Sequence, residues 1–157
     1  MNEASDYLPG CYAFYRHLLF ATVVVICFSC GRPGPNENKN KSSVKFEQYY
    51  VQGQQLYLTH CSNCHQEDGT GLGRVYPPLN TSDYMDRNFE AVICLIRHGL
   101  NEEIIVNGKN YVQRMPENNS LTDLEIAEIA TYIYNTWDHS KGIIEVKEVT
   151  GTLRSCR

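Results

Sequence analysis

The chain has 157 residues, 42% apolar and 20% charged, with a formal net charge of −4. That length suits one folded domain and that composition an ordinary globular protein. The mild acidity offers no basic face of the kind that nucleic-acid binding requires, so no nucleic-acid partner is expected.

Residues 1–29 read as an export signal. Arg16 and His17 precede the apolar run LLFATVVVICFS at 18–29. At about a dozen residues the run falls short of a membrane span, which needs roughly 20, and it has the charged start and short apolar core of a secretory signal. It ends at Cys30-Gly31 and resembles a bacterial lipoprotein signal, cut before a cysteine that then carries lipid. Cys27 stands where such signals usually carry leucine. Soluble export and an uncleaved anchor are the alternatives, and all three place the remaining chain outside the cytoplasm. The expected location is the periplasmic face of a bacterial membrane, with a lipid anchor on Cys30.

Residues 30–45 contain GRPGPNENKNKSSVK, almost free of apolar side chains, and read as a flexible linker. Fifteen such residues reach about 20 Å, enough to tether a domain to a lipid. The folded domain is expected over 46–157 and to be all-α. A first helix covers about 47–60. A second covers about 87–98, with Phe89, Val92, Ile93 and Ile96 at helical spacing. A third begins at LTDLEIAEIATYIYNTW, where Thr122 and Glu125 form a capping-box pattern, Ile126, Ile129, Ala130 and Ile133 form the buried stripe, and Trp137 closes the helix. A short terminal helix from about 145 to 155 is weaker, because Gly151 interrupts it. No run of strands is expected.

The chemistry lies in LTHCSNCHQEDGTG, residues 58–71. A thioredoxin-like Cys-x-x-Cys follows a strand inside a βαβ unit, whereas residues 47–60 read as helix. Structural zinc takes four ligands, usually from two pairs. Cys61, Cys64 and His65 supply three, two of them adjacent, and no second pair exists. Covalent haem attachment uses this arrangement as it stands: two thiols add across the two vinyl groups, and the next histidine lies under the iron.

These residues and others resemble the class I cytochromes c, single-haem helical electron carriers, over about residues 49–138. Gly53 and Tyr57 precede the motif where the family holds a glycine and an aromatic at a helix crossing. YPPL, with Pro78 and Leu79, resembles the family's Pro-Leu, whose proline carbonyl accepts a hydrogen bond from the proximal histidine. YVQRMP resembles the segment bearing the distal methionine, and TDLEIAEIATYIYNTW the C-terminal helix. Bacterial lipoprotein cytochromes c, and the cytochrome c domains appended to some copper nitrite reductases, look most similar. WDH after the last helix departs from the expected Trp-Gly, which affects the exit of the chain rather than the iron.

The resemblance implies three to five helices around one covalent haem c with its iron. Cys61 and Cys64 would attach the haem, His65 and Met115 would ligate the iron, and Pro78 and Leu79 would complete the cofactor site. Met85, His98 and His139 are rivals to Met115 for the sixth position, and Arg74 and Tyr111 are candidates to hold the propionates. Six fixed ligands suit an electron carrier, with no catalytic residue, rather than an enzyme. The partners implied are a quinol-oxidising complex as donor and a terminal oxidase or reductase as acceptor, in an extracytoplasmic respiratory chain. A haem-based ligand sensor, or a haem subunit of a reductase or peroxidase, is the alternative. Cys94 and Cys156 remain. In an oxidising compartment a disulfide between them, tying the tail to the second helix, would use both thiols.

Overall fold

The structure is a computed structural model that describes residues 37–156. The signal, Cys30 and the first part of the linker therefore lie outside the described residues. The first helix, α1, spans Glu37–His60. It begins about ten residues earlier than its apolar pattern suggests, so residues 37–45, read as flexible linker, are helical. Glu, Asn, Lys and Ser do not forbid a helix, and the glycines and prolines that would break it stop at residue 35.

After α1 come a single turn α2 (Ser62–His65), a short α3 (Asp83–Arg87) and α4 (Phe89–His98). The helix expected over 87–98 is thus two helices. Asn88, at φ −130°, breaks it, and α3 is capped by Ser82, whose Oγ accepts from the Met85 amide at 3.3 Å. An antiparallel hairpin follows, β1 (Ile104–Val106) and β2 (Lys109–Tyr111), with Ile104 opposite Tyr111. This hairpin corrects the expectation of no strands. Asn107 and Gly108 turn it, with φ +51° and +71°, and Asn-Gly between β-prone residues is the signature of a two-residue hairpin turn with both centres left-handed.

Helix α5 spans Asp123–Ile133 and has the anticipated capping box: Thr122 Oγ1 accepts from the Glu125 amide, and the Glu125 carboxylate accepts from the Thr122 amide. It stops four residues before Trp137, which lies in the following turn with φ +59°. Seven of its eleven residues are buried, including Ile126, Ile129, Ala130 and Ile133, because helices cover it on several sides.

Two contacts of α5 set the architecture. Against α1 the backbones nearly touch at Gly53, where a Cβ would stand 2.0 Å from the Glu128 carbonyl oxygen; only glycine fits such a crossing. One turn further along α1, Tyr57 packs on Tyr132 and Trp137, with ring centroids 5.3 and 5.8 Å apart. The last helix, α6 (Val146–Leu153), lies on α4 and α5 with Val149 fully buried. Gly151 has open space beside it and is accommodated within this helix. A disulfide joins Cys156 to Cys94 of α4, with Cα atoms 5.7 Å apart. Among the described residues no helix is long and apolar enough to cross a membrane.

Candidate haem site

The end of α1 delivers the Cys-x-x-Cys-His segment. The Cys61 carbonyl accepts from the amides of Cys64 and His65 at 3.1 and 3.0 Å, so the motif closes into one helical turn. Residues three apart on such a turn share a face, which brings both thiols to the same wall. Gln66 then leaves the helix with φ +63°. The Tyr57 hydroxyl holds that exit by donating to the Gln66 carbonyl at 2.6 Å.

Among the described residues Cys61 and Cys64 are the free cysteines, and no cluster of three or more His, Cys, Asp or Glu is arranged to hold a bare metal ion. Burial pushes the Cys61 thiol up to about 12, with the neighbouring Cys64 adding to the shift. A thiol held neutral at pH 7 is a poor zinc ligand and a poor redox nucleophile, both of which need thiolate.

His65 Nδ1 lies 3.0 Å from the carbonyl oxygen of Pro77. This corrects the assignment to Pro78: the accepting carbonyl is one residue earlier, and Pro78 lines the cavity instead. Two adjacent prolines made the choice ambiguous in the sequence. A carbonyl only accepts, so Nδ1 carries the proton and Nε2 keeps its lone pair. Burial lowers the pKa of the ring, against the Pro77 bond, and so favours the neutral form that a metal requires. The loop between motif and prolines is fixed by close approach: a Cβ at Gly71 would stand 2.4 Å from the Tyr76 carbonyl oxygen.

Cys61, Cys64, His65, Pro77, Pro78, Leu79 and Met115 all border one apolar cavity of about 910 Å³, part of which opens to solvent. Leu95, Ile96, Ile129 and Ile133 extend its walls from α4 and α5. Apolar walls, two thiols and an imidazole with a free Nε2 suit a large flat ligand bound covalently and ligated at its centre.

The other candidates separate cleanly. Met115 is pinned by a two-way backbone pairing with Leu100, both bonds 2.9 Å. Met85 also borders the cavity but is 2% exposed and packed within the core. His98 is exposed and does not reach the cavity. Nor does the His139 ring, whose Nε2 is hydrogen-bonded to the Leu79 carbonyl and whose Nδ1 lies 3.3 Å from the Asp86 carboxylate. Tyr111 borders the cavity and donates to the Gly73 carbonyl at 3.4 Å, while Arg74 is exposed and away from it. The cation on the cavity is Arg114, overlooked in the sequence although it adjoins Met115.

The cytochrome c family profile matches residues 50–137, more than half of the chain. Cytochrome c-552 of Thermus thermophilus is 29% identical over 102 residues, which cover 62% of this chain and 77% of the relative. The cytochrome c subunit of the quinone alcohol dehydrogenase of Gluconacetobacter polyoxogenes is 27% identical over 106 residues, covering 64% of this chain and 22% of that subunit. With the helical fold and this cavity, these matches place the chain in the cytochrome c family: it is a class I c-type cytochrome with a covalently bound haem c and its iron.

Proposed function

We propose that the chain is an electron carrier that passes one electron at a time between partners of an extracytoplasmic respiratory chain, and is not itself an enzyme. The observation that carries this reading is the meeting of Cys61, Cys64, His65 and Met115 on one apolar cavity. The two cysteines would hold the haem by thioether bonds. His65 would be the proximal ligand through Nε2, and Met115 the distal one. Thioether sulfur favours ferrous iron and so raises the potential. Held by both His65 and Met115, the iron would have no place for a substrate and would supply one-electron redox chemistry alone. Loss of His98 and His139 as cavity residues supports Met115 over the imidazole rivals. Met85 is the less suited methionine, because its side chain belongs to the packed core.

The donor and acceptor classes remain those implied by the resemblance, a quinol-oxidising complex and a terminal oxidase or reductase. Similarity to the cytochrome c subunit of a quinone alcohol dehydrogenase favours a carrier stationed within or beside a larger complex. The Cys94–Cys156 disulfide supports an oxidising compartment. Within this reading Cys30, after its apolar run, carries lipid, and residues 1–29 are removed. An N-terminus found elsewhere without lipid by mass spectrometry would remove the anchor and leave the carrier intact.

The test of the carrier reading is spectral and kinetic. The ferrous protein should show methionine–histidine ligation and refuse carbon monoxide. It should be reduced by a quinol-oxidising complex and reoxidised by an oxidase or reductase in reconstituted membranes. Rapid carbon monoxide binding by the native protein would favour a sensor or a peroxidase-type subunit.

A further inference from the structure

We propose that the turn after α5 is a clamp on the haem-binding loop, in which Trp137 and His139 are positioning residues that hold the Pro77 carbonyl against His65 and so set the haem potential. The inference rests on the haem placement argued above. The turn begins where α5 ends at Ile133. Asn135 closes it: its Nδ2 donates to the Gly142 carbonyl at 2.7 Å, and its Oδ1 accepts from the Gly142 amide at 2.6 Å. The Lys141 amide adds a bond to the Tyr134 carbonyl at 3.0 Å. Tied in this way, the turn presents Trp137, at φ +59°, and His139 two residues later. The two lie at and just beyond the end of the family match, where the chain reads Trp-Asp-His.

The loop they meet carries both partners of the His65 bond. It leaves the motif at Gln66 and returns through Pro77 and Leu79. Its two limbs join at Gly69, whose carbonyl accepts from the Leu79 and Asn80 amides at 2.7 and 3.1 Å. The turn grips each limb at this junction. On the outgoing limb, a Cβ at Gly69 would stand 2.6 Å from the Trp137 ring, so the indole lies flush on the Gly69 backbone. The same indole packs on Tyr57, whose hydroxyl holds the Gln66 carbonyl. On the returning limb, His139 Nε2 is 2.9 Å from the carbonyl oxygen of Leu79, and the His139 side chain is only 9% exposed. A carbonyl only accepts, so Nε2 carries a proton and donates it to this bond.

Pro77 stands two residues before Leu79, and His65 four before Gly69. Play at the junction therefore becomes play in the 3.0 Å contact between His65 Nδ1 and the Pro77 carbonyl. Hydrogen bonds weaken steeply as they bend, so the grip on the junction decides how firm that contact is. A firm bond at Nδ1 makes the ring more basic at Nε2. A more basic axial ligand favours the ferric state and lowers the potential. The clamp accordingly holds the potential below the value that a loose loop would give, and it does so by geometry. Neither Trp137 nor His139 borders the cavity; both act through Gly69 and Leu79.

The experiment compares the intact haem protein with three variants. His139→Gln keeps a side-chain N–H for the Leu79 carbonyl, His139→Leu has none, and Trp137→Phe has too short a ring to cover Gly69. Nitrogen-15 NMR of the labelled ferrous proteins reads the ring protons of His65 and His139 and their exchange with water, and a redox titration reads the midpoint potential. In the wild type, His139 Nε2 and His65 Nδ1 should both carry protected protons. In His139→Leu the His65 Nδ1 proton should exchange about tenfold faster, the change that losing one ordinary hydrogen bond brings, and the potential should rise. Trp137→Phe should shift both readings in the same direction, and His139→Gln should stay close to wild type in both. A wild-type His139 Nε2 without a proton overturns the proposal and needs no variant. Wild-type exchange at His65 in His139→Leu, a potential there that is unchanged or lower, or a His139→Gln that matches His139→Leu overturns it as well. A wild-type His65 that does not ligate the iron would instead sink the haem placement on which the proposal rests.

Discussion

Leu100 and Met115 exchange two backbone hydrogen bonds, each 2.9 Å long, fifteen residues apart in the chain. Leu100 follows the end of α4 at His98 after one residue, so the methionine loop is fastened beside a helix whose apolar face borders the cavity. A Cβ at Gly99, the residue that joins α4 to Leu100, would stand 2.3 Å from the Met115 carbonyl oxygen, and Gly99 has φ +68°. The position of the thioether is thus set by α4 as well as by Pro116.

Met115→Ala should open the iron to carbon monoxide and cyanide and lower the potential. The fold should survive, because the Leu100 pairing uses backbone atoms. An unchanged spectrum and potential would transfer the ligand role to Met85.

Cys61→Ala or Cys64→Ala should leave one thioether or no stable holoprotein, and His65→Ala no correctly ligated iron. Acid extraction followed by mass spectrometry checks the first pair. Haem that leaves the wild-type chain freely in acidified organic solvent would refute covalent attachment through these residues.

Reduction of Cys94–Cys156 should lower the unfolding midpoint while the haem spectrum stays intact, since thioethers resist thiol reductants. For a sequence separation of 62, the chain-entropy model assigns about 4 kcal/mol. Val149 and Ile144 remain buried under α6 and its approach, so the reduced protein should still fold. Calorimetry with and without reductant measures the difference.

Gly53→Ala should destabilise the domain by about 3 kcal/mol or more. Overpacking ordinarily costs about 1–3 kcal/mol, and here the obstacle is a backbone carbonyl 2.0 Å away rather than a flexible side chain. Denaturant unfolding of holoprotein checks it, with the surface change Gly151→Ala, which meets open space, as the control.

The Thr122–Glu125 cap should give an acid-side signature. Hydrogen bonds from Thr122 hold the Glu125 carboxyl below its ordinary value of 4.5. A depressed folded value means that the stabilisation is complete above that ordinary value and is lost as pH falls through the folded one. Thr122→Ala should cost about 1 kcal/mol at neutral pH, and the gap from wild type should narrow on acidification below the ordinary value, leaving the part due to the Glu125 amide bond to Thr122 Oγ1, which does not titrate. Urea unfolding at several pH values follows it.

The meeting of the motif residues on one cavity was largely legible because the motif is local. Cys61, Cys64 and His65 lie within five residues, and one helical turn suffices to align them. Thr122 and Glu125 likewise bond within the first turn of α5, and Gly53 and Tyr57 reach their crossing by helical spacing alone. The hairpin was also local, and Asn107-Gly108 could have revealed it. What only the tertiary structure decided are relations between distant segments. Whether Pro77 or Pro78 serves His65 depends on the path of the loop after Gly71, and neighbouring prolines share the same local preferences. That Arg114 rather than Arg74 meets the cavity depends on how the Met115 loop is fastened to Leu100. The removal of His139 from the cavity, and its placement behind Leu79, followed from the turn at Trp137 and the docking of α3, neither of which leaves a periodic signal. The Cys94–Cys156 bond needed α6 to lie across α4, a docking that apolar periodicity permits but whose direction only packing fixes.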